Sequence, residues 1–140
     1  MKILRFEDLI AWQKAQDFAV KVYAVFSPHR DFGFRDQICR AVVSISNNIS
    51  EGFERNSDLE FVRFLNIAKG SCSEAKSMIY LAEKLHYIDK AKQTELINDA
   101  SEVAKIIHGL IKSVLRKKYE SNSGTKEPEV EYESKFNTND

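Results

Sequence analysis

The chain has 140 residues, room for one domain, and 43% of them are hydrophobic, enough to bury one substantial core. Its 21 basic side chains balance 21 acidic ones, and the isoelectric point near 6.8 excludes the strongly basic character of many autonomous nucleic-acid binders, while a local basic patch stays open. Cys39 and Cys72 form no C-x-x-C motif and have no histidine at metal-ligand spacing, so neither a disulfide framework nor a metal site is expected.

The opening MKILRFEDLIAWQK turns acidic and polar too soon for the apolar region of a signal peptide. No apolar run approaches the roughly 20 residues of a membrane span, so a cytoplasmic location without a membrane partner is the expectation. From Glu7 to about Ser27, the residues Leu9, Trp12, Ala15 or Gln16, Ala19, Val22 and Phe26 give one apolar stripe, widened by Phe18 and Val25. This predicts an amphipathic first helix, with Glu7 and Asp8 at the positive end of its dipole and Pro28 blocking its continuation.

The loop SPHRDFG leads into the second predicted helix, Asp36 to Arg55, which has two distinct stripes. Ile38, Ala41, Val42, Ile45, Ile49, Gly52 and Phe53 step by three or four along an apolar face. Arg40, Ser44, Asn47 or Asn48, Glu51 and Arg55 keep the same step on a polar one. Ser and Asn compete with the helix for backbone hydrogen bonds, so their placement mid-helix suggests a specific use. One use is structural: the stripe satisfies its hydrogen bonds against a neighbouring helix or subunit and fixes register. The other is a surface for an RNA backbone. Cys39, Val43 and Ser46 continue a further small or apolar strip beside it, more organised surface than one bundle core requires, which points to a subunit interface on this helix.

Ser57-Asp58-Leu59-Glu60 reads as a capping box, with Ser57 accepting from the Glu60 amide and Glu60 reaching back. Helix three then carries Phe61, Phe64, Leu65, Ala68, Cys72, Ala75, Ile79 and Ala82 and ends near Leu85 to Tyr87. Its small-residue run Gly70 to Ala75 is read as a place of close helix approach, since the lysine spacing of a phosphate loop is missing. Asp89 is positioned to cap helix four, where Leu96, Ala100, Val103, Ile107, Leu110 and Val114 form a heptad seam. Four such helices with short connections predict an all-α, antiparallel up-and-down bundle over residues 1–120. Residues 121–140 are polar and acidic, with Lys126 and Lys135 against five acids, and are expected to be a flexible tail that leaves the remainder correspondingly basic.

No enzyme signature is present, and no catalytic, cofactor-binding or small-molecule site is expected. His29, His86 and His108 are scattered with no nucleophile at a recognisable spacing, so each reads as a packing or surface residue. The basic residues recur at heptad spacing: Lys14 and Lys21 on helix one, Lys69 and Lys76 on helix three, and Lys105, Lys112 and Arg116 on helix four. Each set falls on one side of its helix. These are either solvated faces or contacts following phosphates, and they form the candidate nucleic-acid surface.

The run QICRAVVSISNNISEGFER, followed by EFVRFLNIAKGSCSEAKSMIYLAEKLHYI and preceded by FEDLIAWQKA, resembles the four-helix-bundle proteins encoded within intervening sequences of bacterial 23S ribosomal RNA genes. The resemblance spans roughly Phe6 to Leu115. Its most specific parts are Arg40-Ala41, Ser44-Ile45, Asn48-Ile49, Glu51-Gly52, Arg55 and the segment Phe64-Leu65 to Gly70-Ser71. Ser50 departs from the usual Ala, and the acidic tail lies outside the resemblance. The resemblance implies a homo-oligomeric ring, a pentamer, in the bacterial cytoplasm. The related accessory variability proteins of diversity-generating retroelements imply RNA or a nucleic-acid enzyme as partner. The alternative is a protein-binding scaffold that takes no nucleic acid.

Overall fold

The computed structural model describes the backbone of residues 2–123 and the side chains of residues 2–120. A 3-10 turn at Phe6–Asp8 precedes four helices: α1 (Ile10–Phe26), α2 (Phe32–Phe53), α3 (Asp58–Lys84) and α4 (Lys90–Ser123). No strand occurs among the described residues. Loops of five, four and five residues join the helices, too short for anything but reversal, so sequence neighbours pack side by side. The principal contacts run from α1 to α2, α2 to α3, α3 to α4, and back from α4 to α1. Along the α2–α3 seam Gln37 meets Glu74 and Ser44 meets Ser71, so numbers fall on one helix as they rise on the other. The fold is the up-and-down four-helix bundle that the periodicity predicts.

The helix boundaries follow local chemistry. Asp31 accepts from the Phe34 amide at 3.1 Å and starts α2 at Phe32, four residues before Asp36, so the preceding loop is shorter than the sequence suggests. Ser57 accepts from the Glu60 amide at 3.3 Å, as expected of a cap. Glu60 does not reach back; its carboxylate binds the Arg63 guanidinium instead, and the capping box is half formed. Asp89 accepts from the Lys92 amide at 2.8 Å and caps α4. Glu7 and Asp8 belong to the 3-10 turn rather than to α1, which begins after Leu9 without a side-chain cap. Asn56 and His86 carry φ of 56° and 62° in the two loops that leave α2 and α3. At His86 the reversal lets the Tyr87 amide donate back to the Ala82 carbonyl at 2.8 Å, a Schellman-type end made without glycine.

The core is continuous through the bundle. Phe18 and Phe26 from α1, Ile38, Ile45 and Ile49 from α2, Leu65 and Ile79 from α3, and Leu96 and Ile107 from α4 are fully buried. Each contributes about 1.5–3 kcal/mol of gross apolar burial. Two expectations shift. Leu110 is only half buried, and Ile111 takes its place in the α4 seam. Gly70 faces open space, whereas a Cβ on Gly52 would stand 2.6 Å from the Phe64 Cβ and 3.3 Å from the Phe61 carbonyl oxygen. The tight approach of α2 to α3 therefore occurs at Gly52, not in the small-residue run of α3. Helix α4 continues to Ser123, and the rest of the expected acidic tail lies outside the described residues.

Candidate functional site

The polar stripe of α2 divides by depth. Ser44 and Asn48 are half buried and turn toward α3: the Ser44 and Ser71 hydroxyls are 2.8 Å apart, and the Asn48 amide donates to the Ser44 carbonyl at 2.7 Å and hydroxyl at 2.9 Å. Asn48 thus ties up its own helix while Ser44 reaches across. Glu51 and Arg55 form an exposed pair at 2.7 Å, and the Arg55 guanidinium lies 4.8 Å from the Phe64 ring centroid, with Arg63 4.6 Å from the same centroid. Arg40 is exposed in a groove of about 500 Å³ that it shares with Gln37, Ser44, Ser71 and Glu74. Asn47 is exposed on the opposite flank, toward α1.

The strip of Cys39, Val43 and Ser46 behaves differently from its sequence reading. Cys39 is 7% and Ser46 2% exposed, and Ser46 accepts from the Gln16 side chain at 3.0 Å. A bundle helix touches two neighbours, so α2 needs this second flank for α1. Only Val43 remains half exposed, in a groove with Ala19, Val20 and Tyr23 of α1. Burial pushes the Cys39 thiol up and the Cys72 thiol up to about 11; Cys72 donates to the Ala100 carbonyl at 3.2 Å. Both cysteines are free and poorly suited to nucleophilic work.

The basic sets fall into two environments. On the α1–α4 seam, Lys14 meets Glu102 at 3.7 Å, and Lys21 meets Asp99 at 2.9 Å and Glu95 at 3.6 Å. Hydrogen bonding to Asp99 raises the Lys21 pKa. On the α3–α4 seam the Lys69 ammonium stands 2.9 Å from His108 Nδ1. An ammonium only donates, so Nδ1 accepts and the imidazole is neutral with its hydrogen on Nε2. Partial burial, and then the charges of Lys69 and Lys112, hold the His108 pKa below its ordinary value of 6.5. Lys76 lies one turn from Cys72 on the same helix; Lys105 and Arg116 continue the α4 series toward either end. The structure therefore gathers Lys69, His108 and Lys112, while Lys14 and Lys21 join acidic partners on another seam.

One polar constellation has no counterpart in the sequence reading. The Tyr87 hydroxyl donates to Asp31 at 2.6 Å, and the other oxygen of that carboxylate caps α2. These bonds hold Asp31 below the usual carboxylate range and push the Tyr87 hydroxyl up. The His29 ring packs 4.1 Å from the Tyr87 ring, centroid to centroid, and its Nδ1 accepts from the Asp31 amide. Asp31 two residues before Gly33, at the start of an apolar period, was a readable cap signal; its partner 56 residues later was not. Among the described residues no group of three His, Cys, Asp or Glu side chains could hold a metal ion, and no helix is long and apolar enough to cross a membrane.

Comparison with known proteins narrows the assignment. The chain is similar to a crystal structure from Bacteroides thetaiotaomicron VPI-5482, a protein with unknown function from the S23 ribosomal protein family. The two superpose with a TM-score of 0.69 at 28% identity, covering 74% of this chain and 99% of that one. No curated protein matches. A family model, 23S rRNA-intervening sequence protein, matches residues 7–109, from the turn before α1 well into α4 and through the Gly52 contact. On that match, the chain belongs to the family of 23S rRNA-intervening sequence proteins.

Proposed function

We propose that this chain is a non-enzymatic, ring-forming bundle protein, a homopentamer, that binds the phosphate backbone of RNA along its α3–α4 face. The carrying observation is the gathering of Lys69, His108 and Lys112, in which an ammonium sits 2.9 Å from an imidazole whose pKa a second lysine also depresses. Two cationic side chains, Lys69 of α3 and Lys112 of α4, both bear on one imidazole, so this face concentrates positive charge that suits an anionic partner. Phosphates are the natural anions for a row of lysines and an arginine spaced along two adjacent helices. Backbone contacts of this kind position RNA without reading its bases. A nucleic-acid enzyme brought to the same RNA, as in the accessory variability proteins, fits this reading. The test is equilibrium binding of a fluorescein-labelled RNA across a salt series. A linear fall of log affinity with log salt is expected; binding that ignores salt, or no binding at low salt, overturns the proposal.

A second reading, a protein-binding assembly without nucleic acid, is favoured by the α1–α2 groove. Val20 is 68% and Tyr23 41% exposed there, beside the half-buried Val43. The same groove is the surface we assign to the ring. Val43→Glu puts a charge into that contact while leaving the bundle core intact, so it is expected to give a folded, helical, smaller species. Analytical ultracentrifugation decides: an unchanged assembly in the mutant, or a monomeric parent at micromolar concentration, removes this groove from the interface.

A further inference from the structure

We infer that the acidic segment after α4, residues 127–133, folds back in cis onto the α3–α4 face and holds it until RNA phosphates displace it. The displacement rests on the phosphate-binding reading above; the docking stands on the chain itself. Four cationic side chains climb that face. Arg116, Lys112 and Lys105 lie on one stripe of α4, and Lys69 of α3 joins them at the level of His108, its ammonium 2.9 Å from the ring. Going back from Arg116, the levels are four, four and three residues apart, steps of about 4.5–6 Å. The segment EPEVEYE places Glu127, Glu129, Glu131 and Glu133 at every second position, outside the described residues. In an extended chain, which Pro128 favours, alternate residues share one edge and recur roughly every 6.6 Å. Four acids on one edge thus match four cations on one face, and the mismatch of about 3 Å over the whole run is within the reach of long lysine side chains.

The length of chain fits this path. Helix α4 ends at Ser123, and the next residue, Gly124, accepts the left-handed backbone that reverses a chain at a helix end. Arg116 lies seven residues back along the helix, about 10.5 Å, and the four residues from Ser123 to Glu127 span up to about 13 Å. Glu127 therefore reaches Arg116, and each later acid falls beside the next cation. The charge distribution chooses the face. On the other flank of α4, Glu95, Asp99 and Glu102 meet Lys14 and Lys21 of α1 and repel an acidic strand. Exposed ion pairs are weak one by one, but the tether presents all four acids together at high local concentration. RNA then competes with the chain's own acids for the same cations.

The experiment uses the full chain with Ser134→Cys carrying a nitroxide spin label. Cys39 and Cys72 are buried with raised thiol pKa and stay unlabelled at neutral pH. Relative to the reduced, diamagnetic label, amide NMR signals at Lys69 and Lys105 are expected to be lost. Those at Lys14, which meets Glu102 on the α1 seam at a similar height, are expected to persist. Equal loss or equal persistence on both seams overturns the docking. Adding Glu127→Gln, Glu129→Gln, Glu131→Gln and Glu133→Gln is expected to restore the lost signals, and failure to restore them overturns the charge pairing. In assemblies that mix spin-labelled chains with isotope-labelled, nitroxide-free ones, the latter are expected to stay unbroadened; transfer between chains overturns the placement in cis. Titration with a short single-stranded RNA is expected to bring the Lys69 and Lys105 signals back as it saturates. RNA that binds without restoring them overturns the displacement. Absence of RNA binding at low salt overturns the phosphate-binding reading, and the displacement with it, but leaves the docking standing.

Discussion

Lys21 on α1 and Lys69 on α3 belong to equivalent heptad pairs, yet the bundle gives them opposite surroundings. Lys21 reaches two carboxylates of α4, Asp99 and Glu95, and the field there is largely cancelled. Lys69 reaches an imidazole on the adjoining flank of the same helix, with Lys112 beside it. Helix α4 accordingly shows acids to α1 and bases to α3. A balanced overall charge thus conceals one seam where lysines meet carboxylates and another where two lysines bear on an imidazole. The difference arises from register across helices, which decides whether a lysine meets a carboxylate or another base.

The largest expected effect breaks the frame that keeps both seams in register. Gly52→Ala drives a Cβ to 2.6 Å from Phe64 and must push α2 from α3; a loss of about 2–3 kcal/mol in urea unfolding is expected, and unchanged stability means the helices yield freely. Next in size is a charge reversal made on either seam. Lys69→Glu with Lys112→Glu is expected to weaken RNA binding by more than about tenfold at low salt, and Lys14→Glu with Lys21→Glu, the same change in net charge, by less than about threefold. Comparable losses erase the distinction between the seams.

Thermal melts sharpen the contrast on a smaller scale. Lys21→Met is expected to lower Tm by about two degrees at most, as for exposed ion pairs, whereas Lys69→Met leaves it level or raises it. The subtlest effect is on pH. His108 has a folded-state pKa below 6.5, so between the two values the unfolded chain holds the extra proton. Stability from this group is full above pH 6.5 and is lost as pH falls from there through the folded value. Lys69→Met removes one cause of the depression and is expected to flatten the acid side of the Tm–pH curve; a curve identical to wild type shows that Lys69 contributes nothing to it.

The four helices were legible because their apolar period persists over long stretches and because Ser57 and Asp89 cap where such residues should. The start of α2 was missed because Phe32 and Gly33 resemble a loop, although Asp31 carries the cap signal. A strict heptad from Val103 points to Leu110, but a straight α-helix drifts about 20° per heptad, which brings Ile111 to the core instead. The strip at Cys39 and Ser46 was read as surplus surface because α1's claim on it depends on how the first two helices cross. The lysine sets were visible as helix faces. Their partners were not, since Lys69 and His108 lie 39 residues apart and neither shows in sequence what the other will meet.

The bond from Tyr87 to Asp31 has a consequence for how the bundle opens. One carboxylate both caps α2 and receives the hydroxyl from the loop between α3 and α4, so the two loops at that end share a single fastening. Fraying α2 there releases Asp31 and with it Tyr87, whose ring also packs edge-on against Phe34 at 5.3 Å. The end with two crossings therefore breathes as one cooperative unit, and amide exchange at Phe34 and Tyr87 reports a common opening event. The turn between α2 and α3, at the opposite end, is held by its own Ser57 cap and opens on a separate clock.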